Sequence, residues 1–261
     1  RGSGRAGERA SERAGERGSG GAVRLGAMDA VIFDWGGTLS VWAEVDIEDM
    51  WRLAARHIAP DREEELLQQL IEVEARSWER TRTDRRSTRL SGLLAEASAA
   101  VGADVAAAVL EEAATHHLDT WTPHIRHHGD AVTALAELRE QGLRIGLLSN
   151  THWPRHFHEH FLERDGLADL IDARFYTSEM PYVKPDRRAF AAVARALGAE
   201  RAVFVGDRLY DDVWGAQQAG LAGVWVRNDR TPAHDVTPDA VIDHLAELPT
   251  TVRSLAAERT S

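Results

Sequence analysis

The chain has 261 residues, 43% of them hydrophobic and 28% charged, enough to bury one large core or one core with a satellite domain. It contains no cysteine, which excludes disulfides, thiolate zinc sites and cysteine nucleophiles; with no apolar run of membrane-spanning length and no signal-peptide pattern, a cytoplasmic location is expected. The net charge of -11 divides into net +3 for residues 1–27 and net -14 for the remainder, which disfavours nucleic acid as a partner of the globular part.

Residues 1–27 repeat Arg-Ala-Gly-Glu-Arg with Gly and Ser between, have almost no branched apolar residues, and are expected to be disordered. Met28 falls just before the first ordered segment, as an upstream extension would place it. Ala30-Val-Ile-Phe33 then reads as a short buried strand, with Asp34 at its carboxyl end and Gly36, Gly37 and Thr38 following at once. Such an edge of an open α/β sheet is where ligands bind. A carboxylate there, beside backbone without Cβ atoms, suits a metal ligand or a nucleophile, although it also suits a simple turn cap.

From residue 41 to 123 the apolar spacing turns helical, with helices expected over 47–58, 61–80, 87–101 and 103–119, punctuated by Pro60, Gly102 and Pro123. Trp51 and Trp78 read as core or helix contacts rather than a ligand cage. Beyond Pro123, helix and strand alternate. Helices are expected at 129–141, 153–164, 186–197 and 211–219, and strands at 143–149, 172–176, 202–205 and 223–226. This alternation implies a doubly wound parallel α/β sheet with the helical block inserted between its first two strands. The expected domains are therefore a tail (1–27), a core (28–40 and 124–261) and an inserted helical unit (41–123).

Polar signals fall where these strands end: Asp34, then Ser149 and Asn150, then Lys184 in a loop, then Asp207, Asp211 and Asp212. A parallel sheet gathers such ends on one edge. Carboxylates, a lysine and a hydroxyl make a place for a divalent cation and a phosphoryl group, and oxygen-only ligands favour magnesium over zinc. Lys184 is the only lysine in a chain that otherwise uses arginine, so a compact ammonium is specifically retained there.

In Asp34-Trp-Gly-Gly-Thr38, Ser149-Asn150, Lys184-Pro185 and Gly206-Asp207-Arg-Leu-Tyr-Asp211-Asp212, in that order, the chain resembles the haloacid dehalogenase superfamily of hydrolases from Met28 to about Asn228. The helical insertion resembles the cap of the family's larger subgroup. The resemblance implies that Asp34 is the nucleophile forming an aspartyl-phosphate and that Thr38, Ser149, Asn150 and Lys184 bind the phosphoryl group of a small phosphorylated substrate. It further implies that Asp34, the Gly36 carbonyl, Asp207 and Asp212 hold Mg2+, with Asp211 a weaker choice than Asp212.

Phosphatases of the family usually carry a second aspartate, the general acid and base, two residues after the nucleophile; here that position is Gly36. Its loss implies a good leaving group, a borrowed acid (Glu44, Asp46 or His152), or a catalytically weak phosphate-binding or regulatory protein. Phosphonoacetaldehyde hydrolysis would need a second lysine, which is absent, and 2-haloacid dehalogenation is a lesser alternative because of the acidic pair Asp207 and Asp212. His152, His156 and His160, at four-residue spacing, read as a solvated helix face. His116, His117, His124, His127 and His128 read in the same way, and Arg76 to Arg89 as a solvated segment.

Overall fold

The computed structural model describes residues 28–258, so the reading of residues 1–27 lies outside the described residues. Six strands, β1 (Ala30–Phe33), β2 (Arg144–Ser149), β3 (Ala173–Tyr176), β4 (Ala202–Gly206), β5 (Ala222–Val226) and β6 (Ala240–Ile242), form one sheet in the order β3-β2-β1-β4-β5-β6. Every neighbouring pair is parallel, with Phe33 facing Leu147 on one side and Val205 on the other. All four residues of β1 and all five of β4 are buried, as strands covered on both faces must be.

The two-residue period of β1 divides its side chains between two layers. Val31 and Phe33 pack with α5 (Ala131–Glu140), α6 (Arg155–Arg164) and α9 (Leu248–Glu258), whereas Ala30 and Ile32 pack with α7 (Arg187–Ala196) and α8 (Gly215–Gln218) on the other face. This is the expected doubly wound α/β sheet. β6 and α9 were not among the expected elements: β6, at three residues, is too short to show alternation, whereas α9 does carry helical spacing in Leu248, Val252 and Leu255.

Between β1 and β2 run α1 (Ile47–Ile58), α2 (Glu63–Asp84), α3 (Leu90–Ala100) and α4 (Ala107–Trp121). They pack chiefly on one another, α1 against α4 and α2, and α3 against α2 and α4. Asp46 starts α1 by accepting the Glu48 amide at 2.9 Å, satisfying a donor that the first turn leaves free. None of the described helices is long and apolar enough to cross a membrane. After β4 the expected helix at 211–219 is instead six residues of π-helical backbone, Leu209–Trp214, running into α8. Such widened turns place side chains off the regular helical stripe and occur frequently at functional sites.

Candidate active site

Asp34 sits one residue beyond β1, and its amide donates to the Val205 carbonyl of β4 at 2.9 Å, so the sheet itself fixes its backbone. The chain then turns back tightly: the Gly37 amide donates to the Ser40 carbonyl at 2.9 Å, and the Ser40 amide and hydroxyl both donate to the Trp35 carbonyl, at 2.8 and 3.1 Å. Gly37 has φ +77°, and a Cβ there would lie 2.1 Å from Trp42 Nε1 and 2.6 Å from Asp207 Oδ2. Only glycine fits that conformation and that gap. The Thr38 hydroxyl is enclosed within this turn without a hydrogen-bond partner.

The remaining ends converge on Asp34. Ser149 closes β2 and is buried. Asn150 clamps the lysine loop, donating from Nδ2 to the Lys184 carbonyl and accepting the Lys184 amide at Oδ1, each at 2.9 Å. Its carboxamide is therefore engaged with backbone. Lys184 Nζ, fully enclosed, donates to Asp34 Oδ1 at 2.7 Å and to Asp212 Oδ1 at 2.6 Å. The second Asp212 oxygen accepts the Arg208 amide at 2.9 Å, and a Cβ on Gly206 would lie 2.4 Å from the Asp212 carboxyl, so Gly206 makes room for it. Asp207 Oδ2 accepts from Trp42 Nε1 at 3.0 Å and from Asn228 Nδ2 at 2.7 Å. Its Oδ1 is buried and has no partner.

Asp34, Asp207 and Asp212 each offer one oxygen within 4.8 Å of the others. Three buried carboxylates face one ammonium, and the acidities of Asp34 and Asp207 record the imbalance. Burial, only partly offset by Lys184, pushes Asp34 up to about 7, with Asp212 and Asp207 adding to it. Burial and Asp212 push Asp207 up to about 6. Burial opposes the Lys184 charge, yet Asp212 and Asp34 outweigh it and hold the amine above its ordinary range. A surplus of buried negative charge, an unpartnered Asp207 oxygen and an all-oxygen donor set fit a hard divalent cation such as Mg2+.

Asp34, Ser149, Asn150 and Lys184 floor a cavity of about 560 Å³ whose walls come from the 35–47 loop, α2, α4 and the loop after β2. Of the three candidates for a borrowed acid, only His152 lines it. Glu44 is exposed and paired with Arg230 at 2.5 Å, and Asp46 caps α1. Burial lowers His152 to about 4, and the His152 ring is within hydrogen-bond distance of the Thr88 carbonyl through Nδ1 at 3.1 Å, which makes Nδ1 the donor. His152 is therefore a neutral acceptor, not a ready acid.

Several histidines depart from the solvated reading. His156 and His160 are exposed on α6, whereas His152 precedes that helix and is buried, and His158 is buried with its ring stacked on Tyr176 at 4.7 Å. His117 is buried and stacks on Trp51 at 3.7 Å. His127 Nε2 accepts from Trp35 Nε1 at 3.0 Å and its Nδ1 donates to Asp165 at 2.7 Å, tying the residue after Asp34 to α6's end. Within Arg76 to Arg89, Arg82 lines the cavity and Arg89 donates to the Ser178 carbonyl. Trp51 is core, but Trp78 is a cavity wall. Helical spacing could not reveal these roles, because the second layer that covers each face comes from distant sequence. Trp42, Asn228 and Glu74 carried no motif at all.

A family model described as haloacid dehalogenase-like hydrolase matches residues 28–220. The chain is 32% identical over 165 residues to a glyceraldehyde 3-phosphate phosphatase of Methanopyrus kandleri, covering 60% of this chain and 70% of that protein. It is 34% identical over 129 residues to a phosphoglycolate phosphatase of Cereibacter sphaeroides, covering 49% of this chain and 58% of that relative. A 2-haloacid dehalogenase from Pseudomonas syringae superposes with a TM-score of 0.67 at 24% identity, covering 87% of this chain and 99% of that one, a likeness of fold.

Proposed function

The chain belongs to the haloacid dehalogenase-like hydrolase family, and we propose that it is a magnesium-dependent phosphatase acting on a small phosphorylated metabolite through an aspartyl-phosphate on Asp34. The observation that carries this reading is the shared Lys184 contact, 2.7 Å to Asp34 and 2.6 Å to Asp212, beside an Asp207 oxygen that nothing satisfies. Phosphatases among the sequence relatives support it.

On this reading an Asp34 oxygen attacks phosphorus and the ester P–O bond breaks, the leaving alkoxide taking its proton from solvent because Gly36 carries no acid, while Lys184 fixes Oδ1 and offsets charge on the phosphoryl oxygens. Thr38 and Ser149 donate hydroxyl hydrogen bonds to those oxygens. Asn150 acts one step back, holding Lys184 in place through its two backbone contacts. Mg2+, held by Asp34, Asp207, Asp212 and the Gly36 carbonyl, would supply charge neutralisation and orientation of the phosphoryl group. Water then attacks the phosphoryl group and releases Asp34. We read α1–α4, within residues 41–123, as a cap over a core of 28–40 and 124–261.

Gly36, at the position of the usual acid and base, favours a second reading, a catalytically weak phosphate-binding or regulatory protein on the same scaffold. General acid-base catalysis contributes about 10²- to 10⁴-fold, so its loss penalises poor leaving groups without abolishing turnover. Magnesium-dependent phosphate release from a panel of phosphate esters, with Asp34→Asn as control, separates the readings. Turnover no faster than that control rejects the phosphatase. Fluoride release from fluoroacetate without magnesium would assign dehalogenation instead.

A further inference from the structure

The cavity above Asp34 has an unbalanced charge on its cap side. Its charged lining residues are Asp34, Glu74, Arg82, Lys184, Arg208 and Asp211. Lys184 is matched by Asp34 and Asp212, Arg82 by Glu79, and Arg208 by Asp211 at 3.9 Å. Glu74, on α2, is the exception: its Oε2 accepts from Trp51 Nε1 at 2.8 Å, the neighbouring Trp78 also favours its charged form, and no cationic side chain among the described residues pairs with it. Trp51 is fully buried and stacked on His117, so the carboxyl is held by a rigid part of the helical layer. Burial raises the pKa of Glu74, as expected for a carboxyl lacking a counter-ion.

The walls around it are unusually rich in indole. Trp35, Trp42, Trp78, Trp121 and Trp153 all line the cavity, five of the eight tryptophans in the chain. Trp153 lies 6.2 Å from Trp35 at 78° and 5.1 Å from Trp121 at 59°, so these rings present faces in different directions rather than one flat stack. Angled aromatic faces with one carboxylate suit an organic ammonium ion, which is drawn to ring faces and to the unmatched charge together. A carboxylate-bearing leaving group would instead meet Glu74 as a like charge in a desolvated space.

We propose that the cavity selects phosphate monoesters whose leaving group ends in an organic ammonium ion, with Glu74 as its counter-ion and the surrounding indoles as its walls. The phosphoryl end of this inference rests on the phosphatase reading; the ammonium end rests on the cavity alone. In a complex, the phosphoryl group lies at Asp34 and Lys184 and the ammonium lies toward α2.

Calorimetric binding to the full-length Asp34→Asn protein with magnesium tests it without requiring turnover. The probes are phosphocholine, phosphoethanolamine and 3,3-dimethylbutyl phosphate, the last being the neutral carbon isostere of phosphocholine. At least one ammonium ester should bind about tenfold more tightly than the isostere, and an added Glu74→Gln substitution should bring that ratio close to one. The ratio compares two ligands on one protein, so partial loss of folded protein does not mimic the effect. Equal or tighter binding of the isostere, no binding of any probe, or a ratio unchanged by Glu74→Gln overturns the inference. A binding preference without phosphate release by the wild type would reject the phosphatase reading and leave this site standing; phosphate release without the preference would do the reverse.

Discussion

Lys184 Nζ donates to Asp34 Oδ1 at 2.7 Å across 150 residues of sequence, and both side chains are buried. The same ammonium holds Asp212, so one lysine offsets part of the charge of a site built from three carboxylates. Removing one partner of a buried ion pair strands the other, which costs about 3–5 kcal/mol. Lys184→Met should therefore lower unfolding free energy in urea by about that amount and remove phosphate release. A loss below about 1 kcal/mol would show that the ammonium is not the counter-charge of this cluster.

Gly36 offers a test by addition. A Cβ at this position meets nothing within 4 Å, unlike one at Gly37. Gly36→Asp should fold and, by restoring an acid beside Asp34, raise kcat on esters of poorly acidic alcohols by about 10²-fold, with much less effect on aryl phosphates. Equal effects on both substrate classes would mean that proton transfer to the leaving group does not limit the native protein.

The Asp207 oxygen without a partner predicts a metal-linked gain in stability. At a magnesium concentration about 100 times its Kd, the folded state should gain about 2.7 kcal/mol, read as a rise in Tm. Asp207→Asn should abolish that rise. A magnesium response that survives the substitution would place the ion elsewhere.

Acid should weaken the fold through its buried histidines. Burial lowers His117 from about 6.5 to about 4 and His158 from about 6.5 to about 3. The folded pKa lies below the unfolded one, so this stabilisation is full above about pH 6.5 and is lost as pH falls through about 4. Each contributes on the order of 3–5 kcal/mol. Between about pH 6.5 and about pH 4, the unfolding free energy should fall relative to that of His117→Gln, a difference to which Asp34 and Asp207, raised alike in both proteins, do not contribute. An unchanged slope in the variant would assign the acid sensitivity to other groups.

Much of the fold was legible because its signals are local. The apolar runs at Ala30–Phe33 and Ala202–Gly206 are buried on both faces, and the residues just past them are the ones that converge. Asp34, Lys184 and Asp212 meet as strand-end placement in a parallel sheet requires. What stayed hidden depends on partners far away in sequence. Trp42 could not be seen to hold Asp207, 165 residues on, nor Trp35 to meet His127, 92 residues on. Trp78 carries the same helical spacing as its core neighbours, yet α2 turns it toward the cavity. Asn150 follows Ser149 in the motif, but its two hydrogen bonds go to Lys184 backbone.

The central claim is that Asp34 carries the phosphoryl group, and rapid-quench mass spectrometry with a turned-over ester and magnesium tests it most directly. During turnover the protein should acquire one phosphoryl adduct that maps to the peptide containing Asp34, disappears in Asp34→Asn, and requires magnesium to form. Phosphate release at full rate from Asp34→Asn, or an adduct on any other residue, would contradict the account.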